Sequence, residues 1–220
     1  MRIGIIGAGR IGGNVARQLS AAGHSLVLSF SRDPDRLTAL ARELGERGTV
    51  GAPSEAVEET DVVVVSVPWS VLPEALAQAG PLTGKIVVDT TNAFGPGPRP
   101  AQGQTQAAFN AARMPGARYT KCFNTLTAQF QAEAAHRPAN RRVVQWICGD
   151  GPDAKRVVAS LVEDAGYVPV DVGGTADCAV MESPRRPGAV YGEEYRLPDA
   201  QRVVDAIRAG RPIPATPQYA

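Results

Sequence analysis

The stretch "GIIGAGRIGG" near the start of the chain constrains its fold more than any other feature. Gly7, Gly9 and Gly12 form a G-x-G-x-x-G arrangement between an apolar run and a segment with helical periodicity. A second apolar run follows, so the motif lies inside a strand, turn, helix and strand unit of about 30 residues. The first glycine permits a tight turn, the second lets the backbone approach a pyrophosphate, and the third packs the helix on the strand. The turn, with Arg10 and Ile11, therefore predicts a dinucleotide site at a helix N-terminus.

Short apolar runs alternate with helical patterns along most of the chain. Such alternation indicates βαβ units and a parallel sheet. The runs cover residues 2–6, 25–29, 62–66, 86–90, 119–123, 143–148 and 167–171, with a weaker run at Thr49 and Val50. We therefore predict an α/β fold with a doubly wound, mainly parallel sheet over residues 1–172.

The predicted helix ends and loops are marked by glycine and proline. Pro152 begins a late helix that Gly166 ends. Residues 92–104 are rich in both residue types and predict a long surface loop, a place where functional loops often lie. Residues 173–220 contain one predicted helix, at 198–209, and form a short helical and irregular appendage. We expect this appendage to complete the substrate pocket or a dimer contact.

The composition favours a protein that binds a small molecule in the cytoplasm. Charged residues make up 20% of the chain and the formal charge is +1, which predicts no nucleic-acid partner. No apolar run has the length of a signal peptide core or of a membrane span, so we expect no membrane partner. Cys122, Cys148 and Cys178 are odd in number and widely spaced, and predict neither a disulfide nor a metal site.

The stretch "SFSRDPDRL" at the end of the second strand predicts the choice of cofactor. NAD sites carry an acidic residue about 20 positions after the glycine motif, where this chain has Ser31 and Arg32. A carboxylate would repel a 2′-phosphate, whereas a serine donates a hydrogen bond and an arginine adds charged donors. Asp33 and Pro34 fit the N-cap and first position of the next helix, and Arg36 either adds positive charge or is solvated. NADP(H) is therefore the predicted cofactor.

The other strand ends supply the remaining candidate residues, because ligands of open α/β sheets lie outside the carboxyl ends of the strands. Val67, Pro68 and Trp69 follow the valine strand, and Trp69 either contacts the ligand or fills the core. Asn92 and Asn124 follow the next two strands. Their amides would fix a nicotinamide carboxamide or a substrate carbonyl, or would cap turns.

Other catalytic patterns are missing from the sequence. No serine lies in a nucleophile elbow, and no His, Cys or Asp set has metal spacing. Hydride transfer is consistent with this, because the cofactor carries that reaction and the protein only aligns the reactants. We therefore assign no catalytic residue and no metal.

Together the motifs resemble the NADPH-dependent oxidoreductases of the deazaflavin coenzyme F420. The matching segments are "RIGIIGAGRIGG", "SFSRDPDRL", "VVVVSVPW", "GKIVVDTTN", "KCFNTL" and "CGDGPDAKRVVASLVEDAGYVPVDVG", which cover roughly residues 1–175 in order. The resemblance implies a Rossmann-like fold and direct hydride passage between nicotinamide and deazaflavin, without an obligatory side-chain acid. It also implies a homodimer. The residues it implies for NADPH are Gly7 to Gly12, Ser31 and Arg32 for the 2′-phosphate, and Pro68, Trp69 and Asn92 near the nicotinamide.

The C-terminal segment departs from that family, which tends to carry a helix of large apolar residues there. This chain has "CAVMESPRRPGAVYGEEYRLP", in which Arg185 and Arg186 would suit an anionic group or be solvated. Three functions therefore stay open. The first is hydride transfer with F420, and the second is reduction of a C=N, C=O or C=C bond in a small metabolite, with Tyr191, Tyr195 or Lys121 facing the nicotinamide as proton donor. The third is NADP(H) sensing without catalysis.

Overall fold

The computed structural model describes residues 1–219 and confirms the predicted α/β fold. The strands are β1 Arg2–Ile6, β2 Ser25–Ser29, β3 Gly48–Val50, β4 Val62–Val65, β5 Ile86–Asp89, β6 Arg118–Lys121, β7 Val144–Cys148 and β8 Val168–Gly173. They form one sheet in the order β3-β2-β1-β4-β5-β6-β7-β8. All neighbours run parallel except β6 and β7, which are antiparallel. Every predicted apolar run forms a strand, with ends within two residues of the prediction.

The helices cover both faces of this sheet. They are α1 Arg10–Ala21, α2 Pro34–Leu44, α3 Pro53–Glu58, α4 Leu72–Ala79, α5 Gln106–Ala112, α6 Ala128–Ala134, α7 Pro152–Asp164 and α8 Leu197–Arg208. Buried side chains of α1, α2, α6 and α7 pack on one face. Those of α4, α5 and α8 pack on the other. The result is the three-layer arrangement of a doubly wound fold.

Strand β4 shows why the sheet is buried on both sides. Its four valines are at most 1% exposed. Side chains alternate along a strand, so Val62 and Val64 join the core of the α1 face while Val63 and Val65 join that of the α4 face. A continuous β-branched run of this kind is typical of a central parallel strand.

The predicted helix ends and long loop are confirmed. The carboxylate of Asp33 accepts a hydrogen bond from the backbone N–H of Arg36 at 3.1 Å, and Pro34 is the first residue of α2. Helix α7 begins at Pro152 and is followed by Gly166, whose φ is +91°. Residues 92–104 contain no helix or strand.

The prediction that the cysteines form no disulfide is wrong. Cys148, at the end of β7, is bonded to Cys178 in the 3-10 helix Thr175–Met181. The two residues are 30 positions apart, but β8 runs parallel to β7 and delivers the chain to the carboxyl end of β7. Spacing in the sequence does not reveal this return. Cys122 is buried with a free thiol.

The C-terminal segment packs on the sheet. Ala200 and Val203 of α8 lie in the same core as Trp146 of β7 and Val170 of β8. The division of the chain at residue 172 stays a prediction. None of the helices within residues 1–219 has the length and apolar character needed to cross a membrane.

Candidate functional site

A cleft of about 730 Å³ lies at the carboxyl edge of the parallel strands. Strand β1 lies between β2 and β4, so the connections leaving β1 and β4 diverge and open a crevice there. The volume is in the range of small-molecule sites. Of the thirteen residues predicted to bind the cofactor, twelve line the cleft: Gly7, Gly9, Arg10, Ile11, Ser31, Arg32, Arg36, Val67, Pro68, Trp69, Asn92 and Asn124.

The three glycines of the motif have different structural roles. Gly7 has φ +99°, and a Cβ there would lie 2.4 Å from the carbonyl oxygen of Ser66. A Cβ on Gly12 would lie 2.1 Å from the carbonyl oxygen of Gly7, so this residue lies beneath the turn and packs α1 on β1. A Cβ on Gly9 would meet no protein atom within 4 Å. Packing therefore requires Gly7 and Gly12, whereas Gly9 borders open space in the cleft, as a pyrophosphate cradle would need.

The N-terminus of α1 is suited to an anion. Gly9 is the N-cap and provides no side-chain cap, and the first turn contains no acidic residue. The first N–H groups of a helix have no partner within the helix and carry partial positive charge. Arg10 is exposed and lines the cleft, and its guanidinium makes no hydrogen bond or ion pair with residues 1–219. A diphosphate fits this position.

The end of β2 adds more positive charge to the cleft. Arg32 and Arg36 are exposed and line the cleft, and the part of the chain that the structure describes offers neither guanidinium a partner. Asp33 is occupied as the cap of α2. The hydroxyl of Ser31 donates to the Asp33 carbonyl at 2.8 Å and accepts from the Asp33 N–H at 3.1 Å. With Arg10, three unneutralised arginines surround this end, which we call the β2 end of the cleft.

Trp69 anchors a loop with its indole ring. The ring is buried and stacks on Phe109, with 5.8 Å between ring centroids. Its Nε1 donates to the carbonyl oxygen of Pro98 at 2.7 Å, so the indole holds the 92–104 loop. Of the two interpretations from the sequence, the structure shows the core role, and contact with a ligand stays a prediction.

Asn92 and Asn124 bind one another at the opposite end of the cleft. Asn92 Nδ2 donates to the Asn124 carbonyl at 2.9 Å, and Asn124 Nδ2 donates to the Met181 carbonyl at 2.7 Å and to Asn92 Oδ1 at 3.2 Å. The N–H of Ser183 also donates to Asn92 Oδ1, at 3.3 Å. Asn124 Oδ1 is buried and has no partner in residues 1–219. The two amides tie β5 and β6 to the C-terminal segment, and one acceptor atom is left over.

A buried network of charged and hydrogen-bonded side chains lies next to this end of the cleft. Lys121 and Asp89 are fully buried, with 3.4 Å between Nζ and Oδ2, and Lys121 Nζ donates to the Thr91 carbonyl at 2.6 Å. Burial alone would raise the pKa of Asp89, but the Lys121 charge and hydrogen bonds from Tyr119 and Asn110 lower that pKa below its usual value. Lys121 neither points outward nor lines the cleft, so its prediction as a proton donor is wrong. A lysine on β6 reaches a carboxylate on the neighbouring β5, which a single strand pattern does not show.

Of the three predicted proton donors, only Tyr191 lines the cleft. Tyr195 is 1% exposed and packs edge-on against Trp146, so its prediction is wrong. The Tyr191 ring lies 6.1 Å from that of Phe94, and burial raises the pKa of its phenol. Its hydroxyl has no hydrogen-bond partner in residues 1–219.

Several cleft residues were not predicted from the sequence. These additional residues are Thr90, Thr91, Phe94, Phe123, Leu126, Thr127 and Ala128. Together with Asn92, Asn124 and Tyr191 they form what we call the β5–β6 end of the cleft. Thr90 and Phe123 are the last residues of predicted runs, and the other additional residues follow within about five residues, so their position in the sequence was the available signal. Phe123 has φ +55°, an unusual value for a non-glycine residue that is often found at functional sites.

Comparison with known proteins agrees with the predicted family for the first part of the chain. The family model described as "NADP oxidoreductase coenzyme F420-dependent" matches residues 2–93, which confirms the resemblance there. Metalloreductase STEAP3 of Rattus norvegicus is 31% identical over 182 residues, which are 83% of this chain and 36% of that protein. The chain thus spans about a third of the length of this curated relative.

Solved structures share the fold over most of the chain. A hypothetical protein from Sinorhizobium meliloti is 29% identical, with a TM-score of 0.78 over 90% of this chain and 96% of that one. A protein provisionally named as an F420-dependent NADP reductase, from Arthrobacter sp. FB24, is 25% identical, with a TM-score of 0.65 over 79% of this chain and 85% of that one.

Proposed function

Because residues 2–93 match the model of the F420-dependent NADP oxidoreductases, we propose that this chain binds NADPH in the cleft and reduces an organic acceptor. One observation carries the proposal. One cleft contains both the open space at Gly9 and three arginines that have no partner within residues 1–219: Arg10, Arg32 and Arg36. A dinucleotide with an added 2′-phosphate matches both features, since it presents a diphosphate to α1 and a further dianion to the arginines.

In this proposal each end of the cleft has one task. The β2 end binds the adenosine half, with Ser31 and Arg32 at the 2′-phosphate. The β5–β6 end orients the reacting rings. NADPH supplies the hydride when bound. The protein contributes binding and alignment, which suits a cleft whose described lining, within residues 1–219, contains no His, Cys or Lys side chain.

The first candidate acceptor is a deazaflavin of the F420 type. The family match and the name of the Arthrobacter neighbour support it. Hydride transfer between two rings needs no side-chain acid, so Tyr191 would act only as a wall of the site. The test is steady-state oxidation of NADPH with increasing F420, and unchanged NADPH absorbance at all F420 concentrations would exclude this acceptor.

The second candidate is a small metabolite with a C=N, C=O or C=C bond. The observation that favours it is Tyr191. Of the side chains within residues 1–219 that line the β5–β6 end, its phenol, which has no hydrogen-bond partner there, is the one that could readily supply a proton. Reduction of such a bond consumes one hydride from NADPH and one proton, which the Tyr191 hydroxyl would provide. General acid catalysis contributes about 10²–10⁴-fold to a rate.

The variant Tyr191→Phe separates the two candidates. It keeps the ring beside Phe94 and removes only the hydroxyl group. With a deazaflavin we expect kcat to change by less than about threefold, because no side-chain proton is transferred. With a polarised double bond we expect kcat to fall by about 10²-fold or more. Unchanged turnover of an imine or ketone substrate would contradict the role of Tyr191.

We also propose a cytoplasmic homodimer. Both properties derive from the sequence reasoning and the family resemblance. Size-exclusion chromatography with light scattering tests the dimer, and a monomer across the micromolar range would contradict it.

A further inference from the structure

A second cavity adjoins the cleft. It has a volume of about 660 Å³, and Phe94 lines both cavities. Its walls are the 92–104 loop, the start of α5 and the segment 179–186. None of the residues predicted to bind the cofactor lies in it. The cavity is therefore a space beside the β5–β6 end that cofactor binding leaves unused.

Hydrogen bonds hold the walls of this cavity in place. The side chain of Gln106 accepts from the Ala93 N–H at 2.7 Å and donates to the Ser183 carbonyl at 2.9 Å. Both carboxylate oxygens of Glu182 accept backbone N–H groups of α5, from Gln106 at 2.8 Å and Ala107 at 2.7 Å. The loop, the helix and the C-terminal segment are thus joined, and a ligand meets a preformed site.

Most free side-chain donors of the cavity belong to two cationic residues. Arg99 donates to two carbonyl groups of its own loop, and Arg186 donates to three carbonyl groups of the segment 179–184. A guanidinium has five N–H donors, so three remain on Arg99 and two on Arg186. Neither arginine forms an ion pair within residues 1–219, and Nε2 of Gln104 has no acceptor there. Glu182 is the one carboxylate in the described lining, and α5 already occupies it.

We propose that the second cavity binds an anionic group of the hydride acceptor, a carboxylate or a phosphate ester. This rests on the proposed function, because it places the reacting part of the acceptor beside Tyr191. Phe94 lines both sites and therefore lies between them, and this residue is 56% exposed. An acceptor that extends across the Phe94 ring carries its anionic end to Arg99 and Arg186. Guanidinium groups bind both kinds of anion through paired N–H donors.

The test is a titration of the protein with glutarate and, separately, with inorganic phosphate, followed by the backbone amide signals in NMR spectra. Saturating NADP⁺ occupies the arginines of the cleft, and sodium chloride keeps the ionic strength constant. We expect saturable shifts at Gln104 and Arg186. Stronger binding of glutarate would identify a carboxylate acceptor, and stronger binding of phosphate a phosphate ester.

The variants Arg99→Gln and Arg186→Gln remove one charge each but keep an amide donor for the backbone carbonyls. We expect each to weaken anion binding by about tenfold. Arg118→Ala removes an exposed arginine at the opposite end of β6, whose side chain has no partner within residues 1–219, and should leave binding unchanged. If Arg186→Gln does not fold, Arg99→Gln alone decides.

Non-saturable shifts in the wild type, or equal affinities in all variants, would overturn the proposal. NADPH binding is measured on the same proteins in separate samples that contain no NADP⁺. Its loss would contradict the proposed function, whereas normal NADPH binding without anion saturation would contradict only the second site.

Discussion

Replacing Arg32 by alanine should weaken NADPH binding and leave NADH binding unchanged. Arg32 is exposed at the β2 end of the cleft, and its guanidinium has no partner in residues 1–219. The substitution therefore breaks no interaction of the free protein and should not lower its stability. Only the 2′-phosphate distinguishes the two dinucleotides, so a selective loss would place that phosphate on Arg32.

The size of the loss follows from the environment of Arg32. A hydrogen bond to a charged group contributes about 1.5–3 kcal/mol, and the exposed position argues for the lower end. A loss of about 1.5 kcal/mol corresponds to about tenfold in the dissociation constant. Arg10 and Arg36 remain and keep part of the attraction. The difference between wild type and variant should shrink towards 1 M salt, where the screening length is about 3 Å.

The assay is a fluorescence titration of NADPH and of NADH with each protein. Arg42→Ala is the matched control, because Arg42 is an exposed arginine of α2 that does not line the cleft and whose side chain has no partner among residues 1–219. Equal weakening of NADH and NADPH by Arg32→Ala would refute the phosphate site. So would an unchanged affinity for NADPH.

Two further predictions concern the glycine turn and the buried ion pair. Gly9→Ala should fold normally, because the φ of Gly9 is −71° and a Cβ there would meet no atom of residues 1–219 within 4 Å. It should lose NADPH affinity by about tenfold or more, because the methyl group enters the pyrophosphate position. Gly12→Ala should instead lower the melting temperature, and the opposite pattern in calorimetry and titration would contradict these roles. Asp89→Asn should lower the free energy of unfolding by about 3–5 kcal/mol, because it leaves the Lys121 charge uncompensated. The melting temperature should fall by about 6–20 °C. Because the pKa of Asp89 is lowered in the folded state, the wild type loses the stabilisation by the Asp89–Lys121 ion pair as the pH falls below about 4 and through the pKa of the folded state. The melting temperatures of the wild type and Asp89→Asn should therefore converge in acid. A pH-independent difference between them would contradict the role of the ion pair.

The sheet and the β2 end of the cleft could be predicted because each depends on local sequence. An apolar run such as Val62–Val65 predicts a buried strand, and Asp33 followed by Pro34 predicts the start of a helix. The positions of Gly9 and Arg32 then follow from the unit that contains them. These signals lie within a few residues of the structure that they specify.

At the β5–β6 end, Asn92, Asn124 and Tyr191 were predicted, but the contacts that build this end could not be, because they join distant segments. Lys121 lies 32 residues from Asp89, and Asn124 lies 57 residues from Met181. The short helices α5 and α6 span seven residues each, too few to show a periodic face. Tyr191 reaches the cleft because the N–H of Gly192 donates to the Thr125 carbonyl at 2.8 Å. A single sequence contains no local sign of such pairings.

The order in which the cleft residues occur along the chain has a consequence for divergence. The cleft residues from Gly7 to Asn92 lie within the family match, whereas the rest of the β5–β6 end comes from Phe94, Phe123, Asn124, Leu126, Thr127, Ala128 and Tyr191. Under the proposed function, substitutions in these later segments would reshape the acceptor pocket and leave the cofactor half unchanged. Under the proposed function, relatives that share residues 2–93 would use one electron donor with different acceptors, and exchanging the later segments between them should exchange selectivity.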